Sequence, residues 1–402
     1  MNHYVIVGCG AAGNAAAETI RKVDPDSEIR MFTKEGNYYY YRPALPEYLA
    51  GEKTLKGFTL HDAAWYEKNR VEGHLSNEVV RVNPVARTLT TKNGETFVYD
   101  RLLLATGGNA TVPEVKGVEN DDVFTLRTLA DADAIRRRAA TAKSLVLIGG
   151  GLLSLEAGHG LLKLGLEVTV IERNVRLLPR QMDQAGAQLL QRRMEEMGLV
   201  FELGEQTREI TRQDGRLVVS LEGGKSLEAD MVLLSAGVTP ELTLAKTLGL
   251  TIGRGVQVDD RLRTSIADIY AAGDLVEHRG RYYGSWPAAM AQGRVAGANM
   301  AGRETLYEGT VFTNKLKVAG IDLVSMGNID AAGKEKCLIT TDDKQGVYRK
   351  LVVAENRLDG AILYGNVHGE KEIYGAIEAH KDVSSAKKVI EEEGFDLSTL
   401  QD

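Results

Sequence analysis

The amino-acid sequence predicts an α/β fold with two parallel sheets, followed by a small α+β domain. A strand, a glycine turn, a helix and a second strand follow one another near residue 4 and again near residue 145, and such βαβ units form parallel sheets. The 43 glycines cluster in short turns between apolar runs, which is typical of tight turns rather than linkers. From about Val311 the pattern changes, which predicts a separate C-terminal domain.

Length and charge narrow the class of protein. A chain of 402 residues is long enough for two or three domains, because single cores rarely exceed roughly 250–300 residues. The net charge of −7 offers no general attraction to nucleic acid or anionic membranes, so neither is expected as a partner. No apolar run approaches the roughly 18 residues that cross a bilayer, and no signal peptide is recognised at the start.

The cysteines and histidines predict neither a disulfide framework nor a metal site. Cys9 and Cys337 lie far apart in sequence, and no CxxC or CxxxxC pair could shuttle electrons as a dithiol. The seven histidines are scattered without metal-binding spacing, so no metal is predicted. A reducing, cytoplasmic location fits this cysteine usage best.

The first βαβ unit predicts a dinucleotide site. Strand Tyr4–Val7 runs into the glycine turn Gly8–Gly13, an alanine-rich helix follows to about Lys22, and Glu28–Thr33 is the second strand. In such a turn the first glycine makes the bend, the second admits a pyrophosphate and the third lets helix and strand pack closely. The helix N-terminus adds N–H donors and positive potential.

The end of the second strand departs from the usual pattern. An acidic residue is expected near Thr33 to bind ribose hydroxyls, but the run there reads Phe32-Thr33-Lys34-Glu35. Either the Thr33 hydroxyl or the Glu35 carboxylate could take this role, and the sequence leaves the choice open.

The second βαβ unit repeats the first. Strand Leu145–Ile148 leads into the turn Gly149–Ser154, then helix Leu152–Leu164 and strand Glu167–Ile171. Serine replaces the third glycine, a tolerable change because its side chain is small. Glu172 ends the second strand, where a carboxylate accepts hydrogen bonds from a 2′-hydroxyl and repels a 2′-phosphate, so NADH is favoured over NADPH. The nearby Arg173 and Arg176 could soften this preference.

Two more strand ends carry small residues. Arg101–Leu104 is followed by Ala105-Thr106-Gly107, and an apolar run ends in Tyr270-Ala271-Ala272-Gly273-Asp274. Ligands bind at the carboxyl ends of such strands. A lone Gly-Asp is an ordinary turn, but beside two dinucleotide turns we predict that Asp274 binds a flavin ribityl chain.

The C-terminal segment has its own pattern. Apolar runs at Leu351–Ala354 and Ala361–Tyr364, with Asn356-Arg357 between them, predict a hairpin. Two charged helices are expected after it.

These motifs, in this order and with Ser235-Ala236-Gly237 and Pro240 between them, resemble the two-dinucleotide-binding flavoprotein reductases, which include disulfide reductases, NADH oxidases and ferredoxin reductases. The resemblance spans nearly the whole chain. It implies two Rossmann-like domains, with an NAD(P)H-binding domain at residues 113–250 inserted into an FAD-binding domain at residues 1–112 and 251–310. Residues 311–402 would form the small α+β domain.

Together, motifs and resemblance assign two sets of cofactor-binding residues. The FAD set is Gly8, Gly10, Ala12, Gly13, Thr33, Lys34, Arg42, Pro43, Val79, Ala105, Thr106, Gly107, Gly273, Asp274 and Ala289. The NAD set is Gly149, Gly151, Leu152, Leu153, Ser154, Glu172, Ala236 and Gly237.

The loop Tyr38–Pro46 points to one branch of this family. Disulfide reductases carry a cysteine in this region, and here an aromatic–basic–Pro run without cysteine looks like NADH:rubredoxin reductases and the flavin domains of NADH-dependent nitrite reductases. Residues 315–318 and 348–353 are similar to the small third domain of that group. The resemblance implies that Arg42 lies close to the isoalloxazine, whereas each tyrosine of the loop could equally be aromatic packing. Glu156 matches a nicotinamide-side glutamate, or is a helix-capping or solvated residue. Arg42 and Glu156 are the candidate catalytic residues.

The implied activity is hydride transfer from NADH to FAD, followed by electron transfer to a small iron or iron–sulfur protein of the rubredoxin or ferredoxin type. Three alternatives stay open: an FAD/NADH electron-entry subunit of a larger iron–sulfur complex, an NADH oxidase, and a membrane quinone reductase. The last is disfavoured because Lys387–Glu393 is too charged for a membrane-binding helix. A homodimer and a hetero-oligomer are both compatible with the sequence.

Overall fold

The computed structural model describes residues 2–318, 320–330, 336–342 and 345–384. The chain divides into two compact units, which are Met1–Arg42 with Thr54–Asn109 and Val238–Thr310, and Pro43–Lys53 with Ala110–Gly237 and Val311–Asp402. The domain bounds derived from the sequence stay a prediction.

Strands and helices follow one another along the part of the chain that the structure describes. Up to residue 110 they are β1 (His3–Val7), α1 (Ala11–Val23), β2 (Glu28–Phe32), a 3-10 turn (Arg42–Ala44), α2 (Leu45–Leu49), α3 (Leu55–Phe58), α4 (Ala63–Lys68), β3 (Val71–His74), β4 (Val79–Asn83), β5 (Thr88–Thr91), β6 (Thr96–Val98), β7 (Arg101–Leu104) and β8 (Gly108–Ala110). Next come β9 (Val123–Thr125), α5 (Leu129–Ala139), β10 (Ser144–Ile148), α6 (Leu152–Lys163), β11 (Glu167–Glu172), α7 (Gln184–Glu196), β12 (Val200–Leu203), β13 (Thr207–Gln213), β14 (Arg216–Leu221), β15 (Ser226–Ala229), β16 (Met231–Leu234), β17 (Val238–Pro240) and α8 (Thr243–Leu248). The last are β18 (Val256–Val258), β19 (Ile269–Ala271), β20 (Val276–His278), β21 (Arg281–Tyr282), α9 (Trp286–Met300), β22 (Thr313–Val318), β23 (Ile321–Gly327), β24 (Lys336–Asp342), β25 (Val347–Ala354), β26 (Arg357–Tyr364) and α10 (Glu370–Glu378).

The first unit contains a five-stranded sheet in the order β19-β7-β1-β2-β3. All neighbours in it are parallel. Val7 of β1 pairs with Phe32 on one side and Leu104 on the other, and Leu104 pairs with Ala271. Since parallel strands end at the same edge, the turns after β1, β7 and β19 are brought together there.

The second unit contains the same arrangement in the order β12-β11-β10-β16-β9, again parallel throughout. Ile148 at the end of β10 pairs with Ile171 and with Leu234. The strand core is apolar, with Leu147 and Val170 fully buried, as expected for strands covered on both faces. The predicted α/β class with two parallel sheets is confirmed.

Helices α1 and α9 pack backbone to backbone. A Cβ atom at Gly293 would lie 2.2 Å from the carbonyl oxygen of Ala12, and one at Gly297 would lie 2.6 Å from that of Ala16. Only glycine allows so close an approach. The alanine and glycine content of both helices therefore reflects their mutual packing.

The C-terminal domain is an antiparallel sheet in the order β22-β23-β26-β25-β24 with helix α10. Ile373 and Ile377 of α10 are buried in one cluster with Val324 and Leu363 of the sheet. The hairpin predicted from the sequence is present, but Arg357 begins β26 instead of lying in the turn. The second charged helix and Lys387–Glu393 lie outside the described residues.

A buried polar cluster connects this sheet to helix α7. The Tyr348 hydroxyl donates to Asp183 Oδ2 at 2.6 Å, and Lys350 Nζ lies 3.1 Å from the same oxygen. Asp183 also caps α7 by accepting from the Gly186 N–H. Burial works against the Asp183 charge, but the hydrogen bonds from Tyr348, Gly186 and Lys350 lower the pKa of this carboxyl.

Asp183→Asn is expected to destabilise the second unit, because the substitution leaves Lys350, only 6% exposed, as an unpaired buried cation. We expect a loss of roughly 2–4 kcal/mol near pH 7. The pKa of Asp183 is lowered on folding, so its contribution is complete above the unfolded pKa of about 4 and is lost as pH falls below it. Calorimetry should therefore show the difference from wild type shrinking below about pH 4.

Asp183→Asn/Lys350→Met removes both charges and should recover part of the stability. Tyr348→Phe removes one hydrogen bond to a charged group and should cost about 1.5–3 kcal/mol. A thermal midpoint of Asp183→Asn equal to that of wild type at pH 7 would contradict this account.

In the part of the chain that the structure describes, no helix combines the length and apolar character needed to cross a bilayer.

Candidate functional site

The first glycine turn is held by steric constraints that only glycine meets. Gly8 has a φ of +122°, and a Cβ atom there would lie 2.0 Å from the carbonyl oxygen of Ala105. A Cβ atom at Gly13 would lie 2.0 Å from the carbonyl oxygen of Gly8. The Gly8 N–H donates to the Phe32 carbonyl at 2.8 Å, which joins the turn to the end of β2.

Gly10 has more open surroundings than Gly8 and Gly13. Its backbone is extended, with φ −88° and ψ −164°, and it begins helix α1 without a side-chain cap. Apart from its chain neighbours, a Cβ atom there would meet no described heavy atom within 4 Å. Gly10 thus borders open space at the N-terminus of α1, where N–H donors and positive helix potential favour a phosphate.

Two other strand ends come to the same edge. Ala105, Thr106 and Gly107 follow β7, and the Ala105 N–H donates to the Val7 carbonyl at 2.8 Å. Gly107 has a φ of +71°. The Thr106 hydroxyl donates to the Glu241 carbonyl at 3.1 Å. This strand end is therefore fixed against the first glycine turn.

Gly273 after β19 is surrounded by small residues. A Cβ atom there would lie 3.1 Å from Ala12 Cβ and 3.8 Å from Ala289 Cβ. The Gly273 N–H donates to the side-chain oxygen of Gln292 on α9 at 2.8 Å. Asp274 follows half-buried, and its charge raises the pKa of Arg42 as one of several contributions. Three predicted FAD residues, Ala12, Gly273 and Ala289, thus meet in space.

The predicted FAD-binding residues near the end of β2 lie in different environments. Thr33 is half-buried, its N–H donates to His74 and its carbonyl accepts from Asn77. Lys34 is exposed. Val79 is 6% exposed and belongs to the apolar cluster that contains Phe32. Val79 therefore lies in the same apolar core as Phe32, the last residue of β2.

Arg42 is held by two partners from its own loop. Its Nη2 donates to Glu35 Oε1 at 2.8 Å, and its guanidinium carbon lies 5.0 Å from the centre of the Tyr40 ring. The Tyr40 hydroxyl donates to Glu35 Oε2 at 2.7 Å. Pro43 is the next residue of the 3-10 turn Arg42–Ala44.

The other tyrosines of the loop are in aromatic contacts. The Tyr38 ring centre lies 4.8 Å from that of Tyr66. Tyr39 is stacked on Trp286 at 5.6 Å, and Tyr41 meets the same indole edge-on at 5.0 Å. These contacts favour the packing interpretation for Tyr38, Tyr39 and Tyr41, whereas Tyr40 has a polar partner in Glu35.

The second glycine turn repeats the geometry of the first. Gly149 has a φ of +114°, and a Cβ atom there would lie 2.4 Å from the carbonyl oxygen of Ser235. Gly151 begins α6 with φ −82° and ψ 174° and no side-chain cap. A Cβ atom at Gly151 would meet no described heavy atom within 4 Å beyond its chain neighbours. Ser154 is fully buried, so its small size suits the position of the third glycine.

Glu172 is drawn into this second turn. Its Oε2 accepts from the Gly150 N–H at 2.7 Å, and its Oε1 accepts from the backbone N–H of Asn174 at 2.8 Å. The Asn174 side-chain amide donates to Oε1 as well, at 2.5 Å. Glu172 is only 7% exposed. The carboxylate is therefore fixed at the end of β11, beside the helix N-terminus where a dinucleotide ribose is expected.

The remaining predicted NAD residues lie around the same edge. Leu152 and Leu153 form the first turn of α6, and Glu156 lies half-buried in the next turn. Ala236 and Gly237 follow β16, and the Gly237 carbonyl accepts from the Thr111 N–H at 2.9 Å.

Sequence reasoning missed two polar groups. Gln292 is 1% exposed and holds Gly273; a lone glutamine in an alanine- and glycine-rich helix was the available signal. Asn14, fully buried, accepts from the Tyr66 hydroxyl at 2.7 Å, and Tyr66 lies 2.9 Å from the Cys9 thiol. Burial raises the pKa of Cys9, so this cysteine is kept as a thiol.

The donor sets fit dinucleotides. Each unit offers an uncapped helix N-terminus, a glycine facing open space, and small residues at neighbouring strand ends. Pyrophosphate groups bind at such turns. Among the described residues, no group of three or more His, Cys, Asp or Glu side chains is placed to hold a metal ion.

Comparison with known proteins gives matches over most of the chain. A family model described as pyridine nucleotide-disulphide oxidoreductase matches residues 2–293, and one described as rubredoxin NAD+ reductase C-terminal domain matches residues 313–381. The chain is 35% identical to the nitrite reductase (NAD(P)H) of Bacillus subtilis, covering 96% of this chain and 48% of that protein. It is 32% identical to the rubredoxin-NAD(+) reductase of Pseudomonas putida, covering 75% of this chain and 80% of that protein.

A solved structure, the NADH:rubredoxin oxidoreductase from Clostridium acetobutylicum, matches with a TM-score of 0.80 at 28% identity, covering 97% of this chain and 99% of that one. The chain spans half or less of the length of several curated relatives, with shares of 48%, 50%, 38% and 44%.

Proposed function

This chain belongs to the pyridine nucleotide-disulphide oxidoreductase family, and from that premise we propose that it is an FAD-dependent NADH oxidoreductase. Its electron acceptor is a small iron or iron–sulfur protein of the rubredoxin or ferredoxin type. The observation that carries the proposal is the presence of two dinucleotide-type glycine turns, each at the centre of its own parallel sheet. One turn serves FAD and the other NADH.

The cysteines argue against disulfide chemistry. The loop Tyr38–Pro46 contains none. The half-buried Cys9 thiol has a raised pKa, with desolvation as the main cause, and thiol–disulfide exchange needs a thiolate. Cys337 lies on β24 in the C-terminal sheet.

Relatives named as rubredoxin reductases support an iron protein as acceptor.

A second candidate is an electron-entry part of a larger enzyme. The nitrite reductases among the relatives are about twice as long as the part this chain matches. In this case the acceptor is an iron–sulfur domain or subunit that remains attached. An NADH oxidase is a third candidate and differs in using oxygen directly.

The residues of the chain have separate roles in the proposed reaction. The Gly8–Gly13 turn and the N-terminus of α1 bind the FAD pyrophosphate, Asp274 binds the ribityl chain, and Arg42 lies beside the isoalloxazine. The second turn binds the NADH pyrophosphate, and Glu172 accepts from the adenosine 2′-hydroxyl. Bound FAD supplies the exchange between two-electron and one-electron chemistry. The protein itself binds and orients both cofactors.

The absorbance spectrum of the purified, anaerobic protein tests this proposal. We expect flavin bands near ~450 nm that bleach with stoichiometric NADH and far more slowly with NADPH. Oxidised rubredoxin, oxidised ferredoxin or air is then added to separate samples of the reduced protein. The acceptor is the one with which the flavin bands return fastest. A protein that stays colourless after incubation with FAD would refute the proposal. Fastest reoxidation by air would favour an oxidase, and copurification with an iron–sulfur subunit would favour the second candidate.

A further inference from the structure

We propose that Glu35 is a positioning residue for Arg42 and is not the ribose-binding acid of the first unit. This inference rests on the proposed function, because it assigns Arg42 to the flavin site. The sequence leaves open whether the Thr33 hydroxyl or the Glu35 carboxylate binds the ribose of FAD, and the inference excludes Glu35 from that role.

The geometry directs Glu35 toward the arginine loop. One carboxylate oxygen accepts from Arg42 Nη2 at 2.8 Å, and the other accepts from the Tyr40 hydroxyl at 2.7 Å. The Arg42 guanidinium carbon lies 5.0 Å from the centre of the Tyr40 ring. Each of the three side chains thus contacts the other two. Both carboxylate oxygens of Glu35 accept from side chains of the arginine loop, whereas those of Glu172 accept from Gly150 in the glycine turn and from Asn174 after β11.

The backbone fixes where this carboxylate starts. The Glu35 N–H donates to the Thr33 hydroxyl oxygen at 3.2 Å, and the Glu35 carbonyl accepts from the Ser76 N–H at 3.0 Å. These two bonds hold Glu35 on both sides of its Cα atom. The hydroxyl of Thr33, rather than the carboxylate of Glu35, is the polar group next to the end of β2.

Both side chains of the Glu35–Arg42 pair are largely buried, so their interaction is stronger than that of an exposed ion pair. The side chains of Arg42 and Glu35 are 24% and 21% exposed, so neither charge is screened as on an open surface. Burial opposes the charge of Glu35, but Arg42 and Tyr40 outweigh it and lower the pKa of this carboxyl. Burial likewise opposes the charge of Arg42, and Tyr40 and Glu35 outweigh it and raise the pKa of the guanidinium. The pair is therefore ionised on both sides over the working pH range.

The pairing sets how much positive charge the flavin experiences. When Arg42 is paired with Glu35, its guanidinium is held in one position and its positive charge is partly neutralised. Without the carboxylate, Arg42 becomes more mobile and loses one of the negative charges near it, while Asp274 still contributes. FAD binding should then weaken, because ordering Arg42 costs side-chain entropy. The flavin midpoint potential should become more positive, because a less compensated cation favours the reduced, more negative flavin.

A double-mutant cycle of Glu35→Gln, Arg42→Met and the double variant tests the inference. Glu35→Gln alone should weaken FAD binding about tenfold and shift the midpoint potential to more positive values. In the Arg42→Met background the same substitution should change the FAD Kd by less than about twofold, because a residue that acts only through Arg42 is silent without it. FAD affinity is measured by flavin fluorescence and the potential by anaerobic redox titration.

Glu28→Gln is the matched control, since Glu28 begins β2, the strand that precedes Glu35, and pairs with another arginine, Arg30, at 3.1 Å. It should leave both readouts unchanged. Tyr40→Phe removes only the hydroxyl. It should shift the FAD Kd and the flavin midpoint potential in the same direction as Glu35→Gln, by a smaller amount. Circular dichroism and thermal midpoints confirm that each variant is folded.

Two results would overturn the inference. Equal losses of affinity from Glu35→Gln with and without Arg42 would show that Glu35 contacts FAD directly, as a ribose ligand does. No change in either readout would show that the pairing has no effect at the flavin. A wild-type protein without FAD affinity is a different outcome, because it refutes the proposed function itself.

Discussion

Gly10→Val is expected to give a folded protein that purifies without flavin. The backbone of Gly10 is extended and a Cβ atom there meets no described heavy atom within 4 Å beyond its chain neighbours, so the added side chain costs the fold little. The same open space is where the FAD pyrophosphate must approach the N-terminus of α1. We expect FAD affinity to fall by at least about 100-fold, because both the approach and the N–H contacts are blocked. Absorbance near ~450 nm and FAD titration measure the loss.

Gly151→Val is the matched substitution in the second unit. Gly151 has the same position in its turn, an extended backbone and the same open surroundings. This variant should keep its flavin and lose reduction by NADH, again by about 100-fold in rate at low NADH. Dithionite should still bleach it, because the flavin remains reducible.

Gly10→Val and Gly151→Val together test which glycine turn binds FAD and which binds NADH. If Gly10→Val retained FAD while Gly151→Val lost it, the two turns would have the opposite roles. If both retained FAD and normal NADH reduction, neither turn would bind a pyrophosphate. Gly8→Ala is a useful contrast, since its Cβ atom would lie 2.0 Å from Ala105; this change should impair folding rather than cofactor binding alone.

Glu172→Ala is expected to raise the KM for NADH by about 10- to 100-fold. A hydrogen bond to a charged group contributes about 1.5–3 kcal/mol, and each 1.4 kcal/mol corresponds to about tenfold. The KM for NADPH should rise less or fall, because the substitution also removes a carboxylate that repels the 2′-phosphate. The preference for NADH over NADPH should therefore narrow, and stopped-flow reduction with each nucleotide measures it.

Glu167→Ala is the control for charge on the same strand. Glu167 is the exposed first residue of β11, at the opposite end from Glu172. It should leave both KM values unchanged. Because Glu172 also accepts from Gly150 and Asn174, the stability of Glu172→Ala has to be measured in parallel. An unchanged ratio of NADH to NADPH preference in a stable variant would show that Glu172 has only a structural role.

The two glycine turns could be predicted because their determinants are local. A strand of four or five apolar residues, a turn and a helix lie within about 20 residues, so the glycine spacing can be recognised in one short stretch of sequence. Gly8 and Gly149 each have positive φ and face a carbonyl at the next strand end. The position of Glu172 followed from the same spacing, since it ends the strand that pairs with β10.

The roles of Glu35 and of the tyrosine run could not be predicted in this way. Which of four consecutive tyrosines contacts which partner depends on how the loop is placed against Tyr66, Trp286 and Glu35, and these residues are distant in sequence or on another turn. The same holds for Gln292, whose partner Gly273 lies 19 positions away. Side-chain direction in an irregular loop carries no periodic signal.

The sequence by itself determined the two parallel α/β units, their glycine turns and the acidic end of β11, because the strand–turn–helix–strand pattern that predicts each of them lies in one short stretch of the chain. Only the tertiary structure decided that α1 and α9 touch through glycine, that Glu35 pairs with Arg42, and that Asp183 holds the C-terminal sheet through Tyr348 and Lys350. Those contacts depend on close packing between distant segments. Packing of that kind is specified by three-dimensional shape rather than by local pattern.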